Sequence, residues 1–125
     1  MIAILNDVDN SFEGRLEVID VAASKKEFCK YLGCKWCLKD GISVAGRVFG
    51  LVYPKDRVDK GWGSISMINY TCAPDFEGSF LLFGITDSGK LVSLTQEEID
   101  FLMGCFSEDK RENGRVKYIL HHVGC

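Results

Sequence analysis

The sequence predicts an α+β fold: a mostly antiparallel sheet with two short helices packed on it. Three observations carry that expectation. Segments with strand character outnumber helical ones, short polar turns join several of them as hairpins, and two helix starts are written in capping residues. With 125 residues and ordinary globular composition, residues 1–125 read as a single domain, large enough to bury a core without staples.

Taken in order, Arg15 to Val21 alternates Leu16, Val18 and Ile19 with charge and reads as a strand. Ser24-Lys25-Lys26-Glu27 is a capping box, with the hydroxyl taking the amide of Glu27 and the carboxylate reaching back. The helix it opens carries Phe28, Tyr31 and Leu32 on one stripe and stops at Gly33. Ile42 to Tyr53 reads as one strand ending at Pro54, with the glycines of Gly46-Arg47-Val48-Phe49-Gly50 allowing a bulge or a close backbone approach. Lys55 to Gly63 and Thr71 to Gly78 read as loops on either side of a strand from Ser64 to Tyr70. Phe80 to Thr86, Asp87-Ser88-Gly89 and Lys90 to Ser93 form a hairpin. A second capping box, Thr95-Gln96-Glu97-Glu98, opens a helix whose buried stripe is Ile99, Leu102 and Met103. After the polar turn from Glu108 to Gly114, Arg115 to Val123 is the last strand.

The longest apolar runs are far too short to span a bilayer, and the N-terminus has no basic flank and meets acid almost at once. A soluble cytoplasmic protein is expected, with no membrane partner, and in that compartment six cysteines do not imply disulfides. A net charge of −3 argues against general nucleic-acid binding, which needs a basic surface.

Cys29-x4-Cys34-x2-Cys37, with Cys72 further on, has the spacing of a plant-type iron–sulfur loop. Its contents argue otherwise. Lys30, Tyr31, Leu32, Lys35 and Trp36 are too large to wrap a cluster, and Cys29 falls inside a capped helix. Zinc would need a second ligand pair beside Cys34 and Cys37, and the adjacent His121 and His122 point to opposite faces of a strand. A thioredoxin-like pair opens a helix, whereas this one follows a helix end. Cys29 and Cys34 are therefore read as packing residues, and neither a metal nor a cofactor is expected.

No nucleophile elbow, P-loop or dinucleotide fingerprint is present, so no catalytic residue is assigned and a non-enzymatic role is expected. Binding has a better basis. Arg47, Tyr53, Lys55, Arg57, Lys60 and Trp62 bring cations and aromatics along one strand and the loop after it, a combination suited to an anionic, planar partner. Of these, Arg47, Tyr53, Lys55, Arg57 and Trp62 are the candidate ligand-binding residues.

The strings ISVAGRVFGLVYPKDRV, SISMIN and GSFLLFGITDSGKLVSLTQEEIDFLM, spanning Ile42 to Met103, resemble a domain family of unknown function carried by phages and mobile elements of gut Firmicutes. The shared motifs are mainly structural, a core strand and a capping box. The resemblance implies an accessory viral protein that counters host antiviral defence by binding, either a host defence protein or its small nucleotide signal. In the nucleotide case Arg47 and Arg57 would hold phosphate while Tyr53 or Trp62 stacks. The alternatives are a protein–protein interaction module that inhibits a host defence complex, and a Cys-ligated metal or iron–sulfur protein. Small binders of this kind often build sites between protomers, which admits a homo-oligomer.

Overall fold

The computed structural model describes residues 1–7, 14–55, 65–68, 74–110 and 116–121. It has the expected α+β architecture, two helices with a mostly antiparallel set of strands. One sheet is built from β1 (Ile2–Asp7), β2 (Arg15–Asp20), β3 (Cys37–Val44), β4 (Arg47–Pro54) and β7 (Phe80–Ile85), in the order β2-β1-β7-β4-β3. The short β8 (Leu91–Val92) pairs with β7. A second sheet holds β5 (Ile65–Ile68), β6 (Pro74–Glu77), β9 (Phe106–Lys110) and β10 (Val116–His121), ordered β6-β5-β10-β9, with β5 and β10 parallel. Helix α1 spans Lys25–Leu32 and helix α2 spans Gln96–Met103.

The first sheet has a core on each face. Ala3, Leu5, Val52, Leu81 and Phe83 meet Phe28 and Leu32 of α1 on one side. Ile4, Phe49, Leu51, Phe80 and Leu82 meet Ile99 and Leu102 of α2 and Leu120 of β10 on the other. Strands β1 and β7 are buried on both faces, which is why Ile2-Ala3-Ile4-Leu5 and Phe80-Leu81-Leu82-Phe83 are continuous apolar runs with no alternation. Asn6, fully buried between the sheets, donates from Nδ2 to the Tyr118 carbonyl at 3.0 Å.

Both helices start where the capping residues place them. Thr95 and Glu98 close a full reciprocal box on α2. On α1 only half of the box forms: Ser24 accepts from the Glu27 amide at 3.2 Å, while the Glu27 carboxylate turns to Lys30 at 3.1 Å. The Ser24 amide is already satisfied by the Ala22 carbonyl at 2.8 Å, so the carboxylate has nothing to reach back for.

Three expectations are corrected. The apolar stretch from Ile42 to Tyr53 is two strands, not one. The chain reverses at Ala45-Gly46, with φ of 48° and 84°, and β3 runs back along β4 from Val44↔Arg47 to Cys37↔Pro54. Two positive φ angles match a mirror-type hairpin turn, normally signalled by Asn-Gly and here masked by alanine. Strand β9 takes in Glu108 to Lys110, read from sequence as part of a turn, because cross-strand pairing with β10 overrides their polarity. Strand β6 lies inside the stretch read as a loop from Thr71 to Gly78.

Gly50 and Gly84 sit where β8 folds close to the sheet. A Cβ on Gly84 would lie 3.1 Å and 3.2 Å from the carbonyl oxygens of Ser93 and Val92. A Cβ on Gly50 would lie 2.3 Å from Leu91 Cδ2, the tip of a side chain that can swing. In urea unfolding, Gly84→Ala is therefore expected to cost about 1–3 kcal/mol, and Gly50→Ala less than Gly84→Ala.

Candidate functional site

The cation–aromatic run expected along Arg47 to Trp62 is divided by the structure. Arg47 and Tyr53 lie on the face of β4 that meets α2. The Arg47 guanidinium bonds Glu97 with both nitrogens, at 2.7 Å and 2.9 Å, and stacks 4.5 Å from the Phe101 ring centroid. Tyr53 donates its hydroxyl to the Asp40 carboxylate across the β3–β4 pair. Lys55 follows the end of β4, where its amide donates to the Trp36 carbonyl at 2.9 Å. Arg57, Lys60 and Trp62 lie outside the described residues.

Arg47 thus clamps α2 to β4, and its ion pair gives a pH signature. The Glu97 carboxyl is held below its ordinary value of 4.5, first by the hydrogen bonds from Arg47. A carboxyl lowered by folding adds stability above its unfolded pKa, and that increment is lost as pH falls through the folded value. Wild type is therefore expected to lose more melting temperature than Glu97→Gln on acidification from pH 5 to pH 3.

A different basic–aromatic cluster forms on the opposite face, at the junction of α1 and β3. Two cavities meet there and share Lys25 and Cys37. The first, about 530 Å³, has an apolar floor of Phe28, Val52 and Leu91 and a rim of Lys25, Lys39 and Lys90. The second, about 470 Å³, is lined by Lys25, Lys26, Lys30, Lys35 and Trp36, with three thiols at its base. Six of the ten lysines in a chain of net charge −3 thus line two adjoining hollows. Lys30 is paired with Glu27 and Lys39 bonds the Gly89 carbonyl at 3.1 Å, but Lys25, Lys26, Lys35 and Lys90 have no carboxylate partner among the described residues.

Two local features sharpen this arrangement. Lys25 and Lys26 occupy the first turn of α1, the positive end of the helix dipole, where cations are disfavoured and anions favoured. Trp36, the last residue before β3, is 68 % exposed, an unusual position for the largest apolar side chain. An anion with a planar ring would satisfy both.

The thiols are placed by the end of α1. Gly33 adopts φ 66°, and the Cys34 amide reaches back to the Cys29 carbonyl at 3.1 Å. This is the 6→1 bond of a Schellman motif, which brings the side chains at these two positions into contact. Cys37 opens β3 from the other side. Cys29 and Cys37 are buried in the same core cluster, Cys34 is half-buried and packs against it, and the Cys37 thiol donates to the Lys25 carbonyl at 3.9 Å. Burial, with the neighbouring Cys29 thiol adding to it, pushes Cys34 up to about 12 and Cys37 up to about 11. All four described cysteines are thiols, and among the described residues no group of three or more His, Cys, Asp or Glu is arranged to hold a metal ion. Cys29 sits in the core and Cys34 packs against it, in keeping with the packing role read from sequence.

His121 shares a 2.6 Å hydrogen bond with Ser107 across the β9–β10 pair, and His122 lies outside the described residues. No described helix is long and apolar enough to cross a membrane. No family model, curated protein or solved structure matches the chain.

Proposed function

We propose that this chain is a non-enzymatic binding domain that captures a small anionic molecule carrying a planar ring, with a nucleotide the best-fitting class. The carrying observation is the lysine-lined pair of cavities at the α1–β3 junction, with exposed Trp36 at its edge. Lys25, Lys26 and Lys35 meet the phosphates, and the base stacks on Trp36. Lysine suits this task as a mobile point charge that follows a flexible phosphate chain.

This reading moves the ligand away from Arg47 and Tyr53, whose polar groups are taken by Glu97 and Asp40, and keeps Lys55 beside Trp36. In the setting that the phage-family resemblance implies, such a domain would act by sequestering a host nucleotide signal. Calorimetry against mono-, di- and cyclic nucleotides, with inorganic phosphate as the ring-free control, tests it. At least one nucleotide is expected to bind more tightly than phosphate, with affinity falling as salt screens the lysines. Equal weak binding of phosphate and every nucleotide would remove the planar-ring requirement and with it the proposal.

A further inference from the structure

We propose that Cys29, Cys34 and Cys37 form a thiol–disulfide exchange site for anionic low-molecular-weight disulfides. The thiols lie at the base of the cavity lined by Lys25, Lys26, Lys30 and Lys35, so the charge that would draw in a carboxylate-bearing disulfide surrounds the sulfurs. Cys29 shares this cavity and one core cluster with both neighbours: the helix cap brings in Cys34, whose amide donates to the Cys29 carbonyl at 3.1 Å, and the first residue of β3 brings in Cys37. Cys29–Cys34 and Cys29–Cys37 are the two candidate protein disulfides, with the same central cysteine.

The chemistry balances with the small disulfide as oxidant. The thiolate of Cys34, the most exposed of the three, attacks one sulfur of R–S–S–R. A protein–S–S–R mixed disulfide forms, and R–S⁻ leaves to take up a proton. Cys29, as thiolate, then attacks the Cys34 sulfur and the second R–S⁻ departs. Two protein thiols have been oxidised to one disulfide, and one R–S–S–R has been reduced to two R–SH. Cys37 can take the place of Cys34 by the same exchange, which would tie α1 to β3.

The charged and titratable groups lining this cavity are the three thiols, Lys25, Lys26 and Lys30 from α1, and Lys35 from the turn before β3. Cys34 and Cys37 hold their protons well above neutral pH, despite the lysines. Exchange is therefore slow near neutrality and speeds up about tenfold per pH unit toward pH 10, following the thiolate fraction. The helix cap that holds Cys34 is followed directly by Lys35 and Trp36, so a disulfide formed there would also act on the lysine face.

The test treats the reduced full chain with oxidised glutathione, which carries carboxylates, and with neutral hydroxyethyl disulfide, at pH about 8.5. Intact mass and peptide mapping read the products. The expected result, in the peptides carrying these three cysteines, is loss of two hydrogens with no retained adduct, and a crosslink from Cys29 to Cys34 or Cys37. Cys29→Ser is expected to trap the glutathione adduct on Cys34, because the resolving thiol is gone. Oxidised glutathione should react about tenfold faster than the neutral disulfide at low salt, with the gap closing in about 0.5 M salt. A stable adduct on Cys29, Cys34 or Cys37 of the unmutated chain, no reaction at these three cysteines, a crosslink among them that omits Cys29, or equal rates at them with both reagents would each overturn the proposal. Nucleotide binding does not enter this readout, so a chain that binds no nucleotide can still pass it.

Discussion

Phe83→Ala is expected to be the most destabilising single truncation proposed for the fold, at about 3–5 kcal/mol. Phe83 lies on β7, is fully buried, and meets Phe28 of α1 with ring centroids 5.0 Å apart at 52°. Its loss removes the contact that seats α1 on the sheet and leaves a cavity in a strand that neighbouring strands fix on both sides. Against a total stability of about 5–15 kcal/mol, that is a large fraction, and a fall of about 10–25 °C in melting temperature should accompany it. Val48→Ala, at a side chain 62 % exposed on the adjoining strand, is the control and should stay within about 0.5 kcal/mol.

Reversing Lys25 and Lys35 together, as Lys25→Glu with Lys35→Glu, should have the largest effect on binding. Each charged hydrogen bond to a phosphate contributes about 1.5–3 kcal/mol, so converting two attractions to repulsions should weaken a nucleotide by about 100-fold or more. The same change should not lower stability. Lys25 stands at the positive end of the α1 dipole, and glutamate there is favoured by about 0.3–1 kcal/mol, so the melting temperature should hold or rise. Lost affinity in a chain that is no less stable would separate ligand binding from folding. It would also mean that the lysines are kept at the helix start despite a cost to the free protein.

Much of the fold was legible because its signals are local. Ser24 and Thr95 mark helix starts whatever surrounds them, and Asp87-Ser88-Gly89 marks a hairpin by turn chemistry alone. What was missed depends on partners distant in sequence. Strand β1 has no alternation because both its faces are covered, so it carried no periodic signal. The turn at Ala45-Gly46 lacks the Asn or Asp that usually marks positive φ and disappeared into an apolar run.

The site divides the same way. Arg47 and Tyr53 looked available because the sequence does not say that Glu97, fifty residues on, will come to Arg47, or that Asp40 will pair across a hidden hairpin. The lysine face had a readable trace: two lysines in the first turn of a helix oppose the dipole, and Trp36 sits between Lys35 and a buried Cys37. What the sequence did not contain was that Lys39 and Lys90, from β3 and the hairpin after β7, would close around the same hollow.

The central claim is that a planar anion binds beside Trp36, and the fluorescence of that side chain reports on it most directly. Of the chain's two tryptophans, Trp62 is replaced by phenylalanine so that Trp36 alone emits. Titration with a nucleotide should quench Trp36 saturably, with little change on inorganic phosphate and none in the Lys25→Glu, Lys35→Glu variant. Unchanged Trp36 emission across nucleotides up to millimolar concentration would contradict it.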